Sequence, residues 1–307
     1  MNERWLLARR RDNLITRARM IQAIRQFFIS RDYLEVETPI RVPTHAPEAH
    51  IDPLTSEGWF LHTSPELCMK RILAAGYPRL FQITRCFRAG ERGALHISEF
   101  TILEWYRTEI DYMEMMKECE DMFLHLSELL CHGNIIHYQG AEISLEKPWE
   151  RISVREAFKE YSSLTMEDAL KSDRFDEIMV TQIEPRLGLK KPAFLYDYPA
   201  SLAALARLKK DDPTLSERFE LYLGGLELAN AFSELTDVDE QRTRFEREQQ
   251  HRRNMGKPPC PEPRRFLAAL PHMPEASGIA LGIDRLAMIF TDSSIIDDII
   301  AFTPEML

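Results

Sequence analysis

No apolar run in the 307 residues approaches the roughly 18 needed to span a membrane. The Arg-rich first residues lack the apolar core of a signal peptide. The five cysteines, Cys68, Cys86, Cys119, Cys131 and Cys260, form no CxxC pair and no Cys/His ligand spacing. Their odd number and wide spacing argue against a disulfide framework or a zinc site, so reduced thiols in a cytoplasmic protein are expected. No internal repeat or low-complexity tract occurs. No Ser/His/Asp or Cys/His set marks a covalent nucleophile. Positive charge is also short. The net charge of −10 is not tuned overall for polyanions, although a local basic patch can still bind them. The first 31 residues are such a region, with eight Arg against Glu3 and Asp12. They fit a solvated helix face or a docking face for a partner.

What is present suffices for a sizeable core: 44% of residues are apolar and 29% charged. The chain organises around Cys86 to Arg107, CFRAGERGALHISEFTILEWYR. An Arg follows an apolar run, and a loop rich in Gly, Arg, Glu and His comes next. Phe100 to Tyr106 then favours a strand through its β-branched and aromatic residues. The period of two puts Phe100, Ile102, Glu104 and Tyr106 on one face. An Arg, an aromatic plate and a carboxylate–phenol pair on one surface suit a phosphate, a base and an amine. Taken alone, the stretch also fits a surface loop before an amphipathic strand.

Three other clusters carry candidate chemistry. Ser64 precedes a helix with Pro65 at its first position and Glu66 in its first turn, where the carboxylate also suits the helix dipole. Glu220 to Leu235 reads as two strands around Gly224-Gly225, a two-residue hairpin turn. Tyr222 then pairs with Glu227, and Glu220 shares their face. Two carboxylates on one face can hold Mg²⁺, or they are the polar outside of a hairpin. Simple alternation sends Asn230 and Glu234 to the opposite face from Glu227, unless a bend near Ala229 brings them back. Finally, Gly278 to Ile283 is a Gly-punctuated strand, and Asp284-Arg285 opens the last helix. Small residues there let a nucleotide lie against the backbone, with an Arg at a helix N-terminus facing its phosphates.

In order, these stretches resemble the three motifs of the class II aminoacyl-tRNA synthetases. A helix from Asp12 to about Ser30, a short strand and Pro39 resemble motif 1, which implies a homodimer. Cys86 to Arg107 resembles motif 2, and GIALGIDRL resembles motif 3. SPELCMKRIL, ELANAFSEL and Glu104-Trp105-Tyr106 are similar to the catalytic domain of the lysyl-tRNA synthetases. That likeness implies an acidic pocket of Glu66, Glu104 and Glu234 for the lysine ammonium, with Ser64, Pro65, Tyr106 and Asn230 beside it. It makes Glu220 and Glu227 the Mg²⁺-linked acids, with Glu227 also at the substrate, and Arg88 and Arg285 the catalytic arginines on the ATP phosphates. It puts Phe100 under adenine, and implies further ATP contacts from Ala89, Gly90, Glu91, His96, Ile97, Leu221 and Gly282.

The motif 1 helix begins near residue 12, which leaves no room for the N-terminal barrel that reads the anticodon in lysyl-tRNA synthetases. Nearly the whole chain instead resembles the elongation factor P–lysine ligases, truncated relatives of those enzymes. Ala280, where lysyl-tRNA synthetases carry Gly, matches this family and implies a pocket shaped for β-lysine. The resemblance implies an α+β fold, with a six- or seven-stranded antiparallel sheet flanked by helices. It implies one catalytic domain over residues 1–307, with a helical insertion at about 161–192. The implied reaction uses ATP and Mg²⁺ to activate lysine or (R)-β-lysine, then attaches it to a lysine of the partner, elongation factor P. A free-standing synthetase-like enzyme acting on tRNA or a small amine is the alternative. Motif 2 departs from the family: His96-Ile97-Ser98-Glu99-Phe100 stands for the common HNPEF, and Gly90 stands for the usual acid, with Glu91 one residue later. The side-chain contacts expected at those positions are therefore open.

Overall fold

A computed structural model describes residues 3–130 and 133–307 of the protein, so Cys131 lies outside the described residues. Among the described residues the main sheet has eight strands: β1 (Leu34–Glu35), β2 (Arg79–Phe87), β3 (Glu99–Thr108), β4 (Glu150–Ser153), β5 (Ala193–Pro199), β6 (Leu215–Leu223), β7 (Leu226–Ser233) and β8 (Ala276–Gly282). Their order is β1-β2-β3-β8-β7-β6-β5-β4. The expected antiparallel sheet is the central six-stranded part. The two edge strands run parallel to their neighbours and make the sheet mixed. Both edge strands are short, which limits the open hydrogen-bonding row they present.

One sheet face packs on the helices Arg11–Ile29, Tyr112–Leu130 and Ile283–Phe290, around Trp105, Leu103, Leu221, Ala231, Ile279 and Leu281. The first helix buries Met20, Ala23, Ile24, Phe27 and Phe28. Asp12 does not cap it; a short helix, Glu3–Arg9, already precedes Arg11. The other face carries a smaller cluster, in which the helix Glu66–Ala74 sets Met69 and Leu73 on Leu80 and Tyr106. The six residues Asp297 to Phe302 form no strand; Ile296–Ile299 is a 3-10 turn whose two isoleucines enter the core.

Gly224 and Gly225 have φ of +61° and +75°, the left-handed pair that a tight turn between twisted strands requires. The helical insertion packs its own core, with Met166, Phe175, Ile178 and Ile183 against Tyr222 and Leu195. Its end docks on the turn: Gly224 N donates to Gly188 O (2.8 Å) and Gly225 N to Leu187 O (3.0 Å). Among the described residues no helix is long and apolar enough to cross a membrane. The thiols of Cys68, Cys86, Cys119 and Cys260 are free.

Candidate active site

The central strands lay out a grid. Residues opposite one another across a sheet share a face. One row runs Glu104, Ala280, Asn230, Glu220 across β3, β8, β7 and β6. The next runs Tyr106, Gly278, Phe232, Arg218. Gly278, Ala280 and Gly282 thus form a low furrow down β8, flanked by long side chains. The furrow is the floor of a cavity of about 420 Å³. Glu66, Arg88, Phe100, Glu104, Glu227 and Arg285 line it, as do Ser64, Glu91, His96, Ile97, Tyr106, Glu220 and Asn230.

The question left by simple alternation is resolved by a bulge. Tyr222 pairs with Glu227 and Leu221 with Ala229, so Leu228 is an extra residue in β7. The insertion restores Asn230 and Phe232 to the face of Glu227. Leu221 falls on the other face, in the core, and does not line the cavity.

At the Gly278 end of the furrow the site is acidic and buried. Glu104 accepts from Ser64 Oγ (2.6 Å) and from the Tyr106 hydroxyl (2.8 Å). Ser64 Oγ in turn accepts from Glu66 N (3.0 Å), so the helix start is tied to the pocket acid. Glu234 does not line the cavity; it is buried behind Gly278 and Tyr106. A Cβ at Gly278 would overlap the Tyr106 ring and lie 2.5 Å from Glu234 Oε1, so only glycine fits there. Lys70 Nζ bridges Glu66 Oε1 and Glu234 Oε2, at 2.5 Å from each. Burial, reinforced by Glu66, pushes the Glu104 carboxyl up to about 8. Burial likewise raises Glu234 to about 8, against the opposing pull of Lys70. Desolvation would lower Lys70, but Glu234 and Glu66 outweigh it and hold it above the ordinary lysine value. Such a pocket is short of positive charge and suits an arriving ammonium group.

The Gly282 end is basic and aromatic. Arg88 lies over the Phe100 ring, 4.9 Å from its centroid, and its Nε is buried without a hydrogen-bond partner. Arg285 donates to Glu227 O (2.7 Å) and lies 2.6 Å from His96 Nε2. Partial burial and the adjacent Arg285 lower the His96 pKa, which keeps the ring neutral beside the guanidinium. Ala89 and Gly90 do not line the cavity; Ala89 N donates to Asp52 O (2.7 Å), and Gly90 takes φ +77°. Pro65 also lies outside the lining, at the cap of its helix. Asp284 joins the motifs: it accepts from Thr101 N (2.7 Å) and pairs with Arg17 (2.6 Å).

Glu220 accepts from Arg218 on Oε1 (2.7 Å) and from the Tyr198 and Tyr222 hydroxyls on Oε2 (2.5 and 2.7 Å). Two phenols fill Oε2, while Oε1 keeps one acceptor site. Burial and the like charge of Glu220 raise the Glu227 carboxyl. Repulsion between these two acids is what a cation relieves. Among the described residues no three His, Cys, Asp or Glu side chains are grouped to hold a metal. Mg²⁺ needs no such group, since one or two carboxylates with substrate phosphates and water suffice. The pair therefore fits Mg²⁺.

Several residues escaped the sequence reading. Arg218 spans the row, donating to Asn230 Oδ1 (3.0 Å) and Glu220. Its place two residues before Glu220 on an alternating strand was the available signal. Lys70, four residues after Glu66, had the spacing of a helix ion pair. Glu48 lines the cavity from a loop that offers no pattern. Glu184 comes from the insertion, which looked uninformative about chemistry; burial, Glu220 and Glu227 raise it to about 7.

The sequence profile of the class II tRNA synthetases (D, K and N) matches residues 1–306. A protein of Proteus mirabilis named elongation factor P–(R)-β-lysine ligase is 40% identical, over 94% of this chain and 94% of its own length. Proteins of the same name from Hamiltonella defensa and Mannheimia succiniciproducens are 38% and 37% identical, over 95% or more of both chains. A shared fold, shared motifs and identity along nearly the entire length place the chain in the class II tRNA synthetase family, as an enzyme of its elongation factor P–(R)-β-lysine ligase branch.

Proposed function

We propose that this enzyme activates (R)-β-lysine, or lysine, with ATP and transfers it to the ε-amino group of a lysine of elongation factor P. The furrow along β8, from Gly278 beside Tyr106 and Glu234 to Gly282 beside Arg285, carries the reading. It runs from an ammonium pocket to a pair of phosphate-binding arginines, so one small molecule with an amine at one end and a carboxylate at the other reaches the nucleotide.

The amino acid carboxylate attacks the α-phosphorus of ATP in line, and pyrophosphate leaves. Arg88 and Arg285 hold the phosphate oxygens and offset the negative charge that gathers there, so positioning and electrostatics supply most of the rate. Glu66, Glu104 and Tyr106 hold the far ammonium, with Glu234 behind them, and Phe100 stacks under adenine. Glu220 and Glu227 would hold Mg²⁺, which would supply charge neutralisation at the ATP phosphates. The acceptor amine then attacks the carbonyl carbon of the mixed anhydride, an amide bond forms and AMP leaves. No enzyme nucleophile takes part. Exposed Ile15, Ile29, Leu34 and Ile40 of the first motif support a homodimer through that face.

ATP–pyrophosphate exchange with β-lysine and α-lysine, followed by mass analysis of elongation factor P, tests this. Exchange with a mass gain on the protein is expected. No exchange with either amino acid overturns the reading; exchange with tRNA charging and no protein modification favours a synthetase-like enzyme instead.

A further inference from the structure

Glu48 sits in the loop between the short strands Arg41–Val42 and Leu54–Ser56 and lines the cavity together with Glu66, Arg88 and Arg218. Its carboxylate makes no hydrogen bond or ion pair within bonding distance among the described residues. Its charged surroundings are Arg88, Glu66, Glu248 and Arg218. Burial lifts it to about 7, against the pull of Arg88.

The loop is firmly held. Arg252, 1% exposed, donates through Nη1 to Glu48 O (2.9 Å) and Ile51 O (3.0 Å), and through Nη2 to Asp52 Oδ1 (3.0 Å). Ala49 N donates to Glu248 Oε2 (2.8 Å), and Lys257 Nζ reaches Ala49 O (3.0 Å) and Asp52 Oδ2 (2.9 Å). Asp52 O accepts from Ala89 N, which couples the loop to the residue after Arg88. A buried arginine and a lysine thus fix the backbone under a carboxylate that is itself left without a partner, at a substrate cavity.

The other acids of the cavity are engaged. Glu66 faces Lys70, Glu91 lies 3.8 Å from Arg88, Glu104 accepts from Ser64 and Tyr106, Glu220 takes Arg218, Glu227 takes Arg285, and Asp284 takes Arg17 and Thr101 N. A diamino acid brings two ammonium groups. One enters the buried acidic end. The other belongs near the carboxyl end, which Arg88 marks. We propose that Glu48 receives this second ammonium group, and so selects diamino acids over an ω-amino acid of the same length. This rests on the activation reaction proposed above.

Both α-lysine and β-lysine become 6-aminohexanoate on losing that amino group, so one analogue serves for both. The experiment is ATP–pyrophosphate exchange by wild type and Glu48→Gln with all three compounds, the analogue taken as substrate or as competitive inhibitor. The substitution is expected to raise KM for the diamino acids by roughly tenfold or more and to change the constant for 6-aminohexanoate by no more than about twofold. Glu48→Asp, which keeps the charge, should restore part of the discrimination. Equal changes for all three compounds mean that Glu48 only supports the loop, and overturn the assignment. So does no change for any of them, or unchanged exchange with slowed transfer to the acceptor. A wild type that exchanges with none of the three removes the proposed reaction itself, an outcome read before any variant is compared.

Discussion

Lys70 Nζ lies 2.5 Å from Glu234 Oε2, with both side chains closed to solvent. The same nitrogen meets Glu66, so one internal cation serves two acids. With Glu104 beside them, the pocket keeps an excess of acid over base, which is what the proposed ammonium-bearing substrate would neutralise. Removing the lysine should leave two desolvated carboxylates facing each other. We expect Lys70→Met to destabilise the protein by about 3–5 kcal/mol, as removal of one partner of a buried pair does. Lys70→Met combined with Glu234→Gln should recover part of that loss, because no buried charge is then stranded at Glu234. Denaturant unfolding of the two single variants and the double variant measures the coupling.

The acids also predict a pH dependence. Glu104 and Glu234 sit at about 8 in the folded chain, raised by burial from an ordinary value of 4.5. The folded state therefore binds more protons than the unfolded chain between those limits. The contribution of these groups to stability is fully present at the acid side and is lost as pH rises towards 8. Substrate binding has the opposite preference, because an ammonium pairs with the ionised form. KM for the amino acid should fall as pH rises from about 6.5 to about 8.5, and Glu104→Gln should flatten that profile while weakening binding. Exchange assays across the range check both, and a flat wild-type profile refutes the assignment.

Much of the site was legible because its residues sit on regular elements. The alternation of Phe100 to Tyr106 placed Glu104 and Tyr106 together, and paired glycines placed the hairpin turn. The extra Leu228 was not legible, since a bulge in an otherwise apolar strand has no distinct residue signal. It decides whether Asn230 joins the cavity. Glu48 was hidden for a different reason. Its position depends on Arg252 and Lys257, about two hundred residues away in sequence, and a loop fixed by distant partners has no local pattern. The parallel edge strands also depend on distant contacts rather than on any nearby turn.

Arg218 predicts a joint effect on both substrates. It donates to both Asn230 and Glu220, the residues proposed for the amino acid and for the nucleotide side, and it lies 4.3 Å from the centre of the Tyr198 ring. Lysine keeps the charge but has no planar fork to hold two acceptors at once. Arg218→Lys should raise KM for ATP and for the amino acid together, with a fall in kcat/KM of roughly tenfold to a hundredfold. Effects confined to one substrate would separate the two contacts. Circular dichroism and melting temperature should show a folded protein.

Ala280 tests the shape of the furrow. It stands between Glu104 on β3 and Asn230 on β7, so its methyl group rises from the cavity floor between those two side chains. Neighbouring Gly278 cannot take a methyl group without displacing Tyr106 and Glu234, whereas position 280 already carries one. The two positions therefore differ in what they control: Gly278 holds the acids in place, and Ala280 sets the height of the floor. β-Lysine carries its second amino group one carbon further from the carboxylate than α-lysine does, so the two chains meet that floor differently. Ala280→Gly should shift the ratio of exchange rates towards α-lysine by roughly tenfold, within the range that one methylene controls in an apolar pocket. Gly278→Ala should instead lose exchange with both amino acids. An unchanged ratio in Ala280→Gly would show that Ala280 does not touch the discriminating part of the substrate, and selection would then rest on the acids around it.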